Sequence, residues 1–200
     1  ALRHEPVDRA PLLEQMSYNP AVIAHYTGKA IEGFEYTLED IGVVIRKTMD
    51  LAMPPRAPRG TERVTNPDGS VYQHDNWTTW RVKRAHDTVE EARKAMEQAI
   101  EHVGGSKVDP EAARKEHRDV MQSLQALMGE TCILHFSTTS FCSGYDRLGL
   151  DLFTYLHVES PGLFKEFMEV HTEHEVQRVR AAADPELSPV VLIPEDFATK

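Results

Sequence analysis

Residues 109–136 read DPEAARKEHRDVMQSLQALMGETCILHF, and their order decides the fold class. Asp109 before Pro110 is a helix start. The carboxylate can accept from free backbone N–H groups, and proline suits the first turn because its missing N–H is not needed there. Val120, Met121, Leu124 and Leu127 then form one apolar face, and Gly129 ends the helix. Residues 131–136 follow, apolar and without helical period, as suits a strand buried on both faces. A helix delivered straight into such a strand is part of a crossover unit.

The alternation extends outward in both directions. Residues 10–16, 49–54 and 189–193 are further short apolar runs flanked by Pro, Gly or polar residues. Over 87–103, Val89, Ala92, Met96, Ala99, Ile100 and Val103 recur at spacings of three and four. Asp87 and Glu90 are expected to form a capping box there, with Gly104-Gly105 as the stop. A third long helix is expected from Ser160-Pro161, with Leu163, Phe164, Phe167 and Met168 on one side; 38–48 and 146–158 are shorter candidates. Strand and helix in turn predict a parallel sheet with right-handed crossovers. Residues 61–84 break the order. Asn66-Pro67-Asp68-Gly69 between β-favouring runs signals a hairpin, and Thr78-Thr79-Trp80-Arg81-Val82 continues it, so an antiparallel insertion is expected after the second strand.

The chain has 200 residues, with 22 Lys+Arg against 32 Asp+Glu and a formal charge of −10. That balance argues against nucleic acid or an anionic membrane as partner, since both attract cationic surfaces. No apolar run reaches the ~18–20 residues that span a bilayer. The opening residues lack the charged-then-apolar order of a secretory signal. Two cysteines, Cys132 and Cys142, are too few for a disulfide framework, so a cytoplasmic location is expected. The chain begins without Met and stops just after an apolar run, which reads as part of a longer domain.

Three segments carry a family resemblance. Arg3-His4-Glu5-Pro6-Val7-Asp8-Arg9-Ala10-Pro11 resembles the opening of the uroporphyrinogen decarboxylase superfamily. Pro189-Val190-Val191-Leu192-Ile193-Pro194-Glu195-Asp196 resembles its fourth barrel strand, and Gly149-Leu150-Asp151 through Ser160-Pro161-Gly162-Leu163-Phe164 its helix pair after strand three. The resemblance implies a TIM-type (β/α)8 barrel, of which residues 1–200 supply roughly the N-terminal half, with the antiparallel hairpin inserted at 61–84. The missing C-terminal half is then the expected partner of the open sheet edge.

The superfamily holds cofactor-free decarboxylases of tetrapyrrole carboxyls and zinc-dependent methyltransferases. Its decarboxylases carry an Arg-Gln-Ala-Gly-Arg run after strand one, where this chain has Leu13-Glu14-Gln15-Met16-Ser17-Tyr18. A polycarboxylate would meet repulsion there instead of guanidinium clamps. The decarboxylases' Phe-Ser-Asp run on strand two is replaced by Met49-Asp50-Leu51-Ala52-Met53-Pro54. The resemblance therefore implies methyl transfer between a corrinoid or methoxylated donor and a thiol or folate acceptor. A corrinoid protein is a possible partner. Zinc would be held by a His-x-Cys pair and a later Cys in the second half, so no metal ligand is expected in this chain. Decarboxylation and a non-catalytic half-barrel binding module are the alternatives.

In such a barrel the site lies at the carboxyl ends of the strands. Glu195 and Asp196, after the fourth run, are the catalytic candidates, for proton transfer or for support of the site; a loop or helix cap is the plain alternative. Gln15, Arg56, Ser137 and Thr138 are the substrate-binding candidates, although Ser137 and Thr138, with Thr139 and Ser140, could equally cap a helix. Arg56 and Arg59 could offer anion contacts or be solvated. His171 and His174 are expected to pack in the helix layer, and only His135, on a strand, to point inward. Cys132 reads as a core residue, and Trp77 and Trp80 as packing the hairpin down.

Overall fold

A computed structural model describes residues 8–13, 19–138 and 140–193. The protein is mixed α/β. Helices α1 (Pro20–Thr27) and α2 (Leu38–Thr48) precede β1 (Leu51–Ala52), which is followed by β2 (Thr61–Thr65), β3 (Val71–Asp75) and β4 (Thr78–Lys83). Helices α3 (Val89–Gly105) and α4 (Pro110–Met128) lead to β5 (Cys132–Ile133) and β6 (His135–Phe136). Then come α5 (Ser140–Leu148), α6 (Leu150–Glu159), α7 (Pro161–Ala182) and β7 (Val191–Leu192).

The short apolar runs pair in parallel and in chain order. Leu13 bridges Leu51, β1 pairs with β5, and β6 pairs with β7. The run at 131–136 has a neighbour on each side: Cys132 N–H and Leu134 N–H donate to Asp50 and Ala52 carbonyls, His135 N–H and Ser137 N–H to Val190 and Leu192 carbonyls. The expectation of strands buried on both faces is corrected. Ile133 and Leu134 are buried, but Leu12, Leu13, Phe136, Val191 and Ile193 are exposed.

The interruption at 61–84 is an antiparallel sheet in the order β2-β3-β4. At the first turn Gly69 takes φ 86°, open to glycine at no steric cost, and Asp68 Oδ1 accepts from Ser70 N–H at 2.9 Å. Helix α4 has the cap anticipated for it: Asp109 Oδ1 accepts from Glu111 and Ala112 N–H, Pro110 follows, and Gly129 closes the end. Two readings shift. The capping box of α3 is Thr88 with Glu91, not Asp87 with Glu90. The candidate at 146–158 is two helices, broken at Gly149, where φ is 89°.

Two apolar clusters hold the layers. Ile23, Ile41, Val44, Ile45, Met121, Met128 and Ile133 tie α1, α2 and α4 to the strands. Met96, Leu152, Phe153, Leu156 and Phe167 join α3, α6 and α7. Among the described residues no helix is long and apolar enough to cross a membrane.

Candidate functional site

Chain following a parallel strand is where a site would be assembled, and three of the sequence candidates fall there within the described residues. Gln15, Glu195 and Asp196 lie outside them, as does Thr139.

Ser137 follows β6 and is buried; its hydroxyl donates to Glu175 Oε1 of α7 at 2.5 Å. Glu175 Oε2 in turn accepts from Arg178 Nη1 at 3.4 Å. With its hydroxyl committed to a carboxylate, Ser137 ties the strand end to α7, and Ser140, at the start of α5, ties that helix to α7 through Thr172 Oγ1 at 2.9 Å. Thr138 is exposed beside them.

Arg56 follows β1 and lines a separate cavity of about 140 Å³ with Ala57, Arg59, Asn76, Trp77 and Thr79. Trp77 and Trp80 are each 61% exposed, which corrects their reading as packing residues. Ser137 does not line the cavity that Arg56 lines.

His135 corrects the expectation that it points inward. Its ring turns toward the helices and stacks on His117 of α4, with centroids 4.1 Å apart. The two line a cavity of about 220 Å³ together with Glu116, Phe136, Glu175 and Arg178. Burial pushes both imidazole pKa values down. His117 lies one helical turn before Val120 and Met121, so the apolar face of α4 was the signal that could have found it. His171 packs on Phe167 at 4.2 Å, as expected of the helix layer.

A cavity of about 750 Å³ lies between β4 and the start of α6, lined by Arg81, Val82, Lys83, Leu150 and Tyr155. Arg84 at its edge is held by Asp151 at 2.7 Å and Asp87 at 3.2 Å. The sequence offered no cue to it, because hairpin and helix meet there only through the tertiary fold.

Among the described residues no group of three or more His, Cys, Asp or Glu could hold a metal ion. Burial pushes the Cys132 thiol up, away from the thiolate a metal would need. The described residues therefore do not fit zinc, and no chemical step is derived through it. Compared with known proteins, the chain matches no family model, no curated protein and no solved structure.

Proposed function

We propose that this chain forms the first four strands of a (β/α)8 barrel of the uroporphyrinogen decarboxylase type. We further propose that the barrel is a cytoplasmic methyltransferase. What supports the barrel reading is one observation: four short runs pair in parallel in chain order while Leu13, Phe136, Val191 and Ile193 stay exposed. Exposed apolar strand residues and an open edge call for a cover. Four further strands, which the resemblance places after Lys200, would supply it.

The reaction assigned is transfer of a methyl group from a corrinoid or methoxylated donor to a thiol or folate. The acceptor atom forms a bond to the methyl carbon as the donor bond breaks, and the leaving group keeps the electron pair. When the acceptor is a thiol, its proton needs a base, the role given to Glu195 or Asp196. Gln15, Arg56 and Thr138 would face substrate from the other strand ends. Ser137, already bonded to Glu175, would hold that rim in place.

The test gives the full-length protein methylcobalamin with a thiol in one assay and uroporphyrinogen in another. Loss of the methyl–cobalt chromophore with formation of a thioether supports the reading. Decarboxylation of uroporphyrinogen, or neither reaction, overturns it.

A further inference from the structure

We propose that the cavity between the loop after β1 and the β3–β4 turn binds a single-ring aromatic carboxylate. The loop contributes Arg56 and Arg59; the hairpin contributes Asn76, Trp77 and Thr79. Two backbone hydrogen bonds close one side onto the other: Arg59 N–H donates to the Asn76 carbonyl at 3.0 Å, and Asn76 N–H to the Gly60 carbonyl at 2.9 Å. Asn76 holds φ at 56°, so the turn that carries Trp77 is pinned in the left-handed region. The backbone segments that carry Arg59 and Trp77 are therefore set against each other before any ligand arrives, which leaves only side-chain rotamers to be ordered.

The lining defines the ligand by what it offers and by what is already taken. It holds two guanidinium groups and no carboxylate, on a chain of net charge −10. Arg59 enters no ion pair among the described residues. The neutral groups each already hold a partner: Asn76 Nδ2 donates to Asp75 Oδ1 at 3.0 Å, and Thr79 Oγ1 bonds His74 Nδ1 at 2.9 Å. What remains is the Arg59 fork and an exposed indole. A fork of that kind matches the two oxygens of a carboxylate, and an indole face matches a flat ring. A bare phosphate would leave the indole uncovered, and a neutral ring would leave the Arg59 charge unmet. At about 140 Å³ the cavity is smaller than the ~300 Å³ at which sites for larger ligands begin, so one ring is the limit. Arg56 is also assigned to the substrate rim proposed above, but this assignment is tested on Arg59 and Trp77 alone, so its failure and the failure of the methyl-transfer reading are distinguishable.

The experiment uses a Trp80→Phe background. The chain has two tryptophans, so Trp77 becomes its only indole emitter. The protein is titrated with benzoate, benzamide and inorganic phosphate, following Trp77 fluorescence and, separately, heat of binding. Benzoate is expected to saturate, with benzamide and phosphate weaker by about tenfold or more, the scale of a lost charged hydrogen bond. Arg59→Gln should weaken benzoate by about the same factor with its unfolding midpoint unchanged, and Arg59→Lys, which keeps charge and loses the fork, should weaken it too. Lys83→Gln, outside the cavity, should change nothing. Absence of saturable benzoate binding overturns the proposal. So does phosphate binding as tightly as benzoate, or an unaltered affinity in both Arg59 variants.

Discussion

His117 of α4 and His135 of β6 stack 4.1 Å apart with 30° between their planes, and each keeps one buried ring nitrogen without a hydrogen-bond partner. Burial pushes both pKa values down, and for His135 the neighbouring His117 adds to it; Glu175 opposes this at His135, with Arg178 a smaller downward influence, and Asp184 opposes it at His117. The fold thus holds both rings neutral, while the unfolded chain takes up protons at the ordinary value of about 6.5. With the folded pKa values below that, the unfolded state binds more protons as the solution is acidified. Stability is therefore full above pH ~6.5 and declines below it. Urea midpoints measured from pH 7.5 to 5.5 should fall. His135→Phe should flatten the slope without removing it, because His171 is also pushed down by burial. An unchanged slope in that variant would show that the stacked pair is not its source.

Gly144 of α5 faces Phe153, and a Cβ there would come within 2.2 Å of the ring. That ring cannot retreat cheaply, being buried against Phe141 at 5.3 Å and Phe164 at 4.8 Å. Gly144→Ala should destabilise the protein by about 3 kcal/mol, the upper range for overpacking a core. Gly162, in the first turn of α7, has nothing within 4 Å of its would-be Cβ. Gly162→Ala should instead stabilise, by up to about 1 kcal/mol. Guanidinium unfolding of both variants tests the opposite signs.

Much of this architecture was legible in the sequence where a local signal and the tertiary context agree. Asp109, Pro110 and Gly129 bound α4 because capping is decided by neighbours in the chain, and the Asp68-Gly69 turn fixes β2 against β3 for the same reason. The cap of α3 moved one residue because Thr88 Oγ1 accepts from Glu91 N–H at 3.2 Å, while Asp87 gives the cap only its N–H, donating to Glu91 Oε2, and turns its carboxylate to Arg84. Gly149 was legible as a residue but not as a break, since its φ of 89° depends on how α5 meets α6. The stacking of His117 on His135 joins residues eighteen apart and requires β6 to face α4, which no local pattern encodes. The Arg59–Trp77 cavity is of the same kind: its residues are visible in the sequence, and their meeting is set by the hairpin closure.

Asp40 is buried at the start of α2, where it accepts from Thr37 N–H at 3.0 Å and from Lys29 Nζ at 2.5 Å. Burial raises its pKa, but the Lys29 bond and the Thr37 bonds outweigh that, and the net shift is downward. A depressed carboxyl stabilises the fold above its ordinary value of about 3.9, and that contribution is lost as pH falls through the folded pKa. Asp40→Ala removes cap and pair together and should cost about 2 kcal/mol at neutral pH. The difference from wild type should shrink on the acid limb; a gap constant down to pH 3 would count against the assignment.

The last expectation concerns the carboxylates after the fourth strand. Under the methyl-transfer reading, an acceptor thiol gives up its proton as sulfur bonds to the methyl carbon, and Asp196 or Glu195 is the base assigned to take it. Adjacent residues on extended backbone point to opposite sides, so only one of the two should matter. Asp196→Asn and Glu195→Gln keep shape and remove charge. One of them should lower the methyl-transfer rate by about 100-fold, the low end of the range for a general base, with thermal unfolding unchanged. The pH profile separates a base from a mere structural support: the acid limb of the rate should vanish in the affected variant and persist in the other. If neither substitution slows transfer by more than a few-fold, the strand-end carboxylates are ordinary loop residues, and the proton must leave by another route.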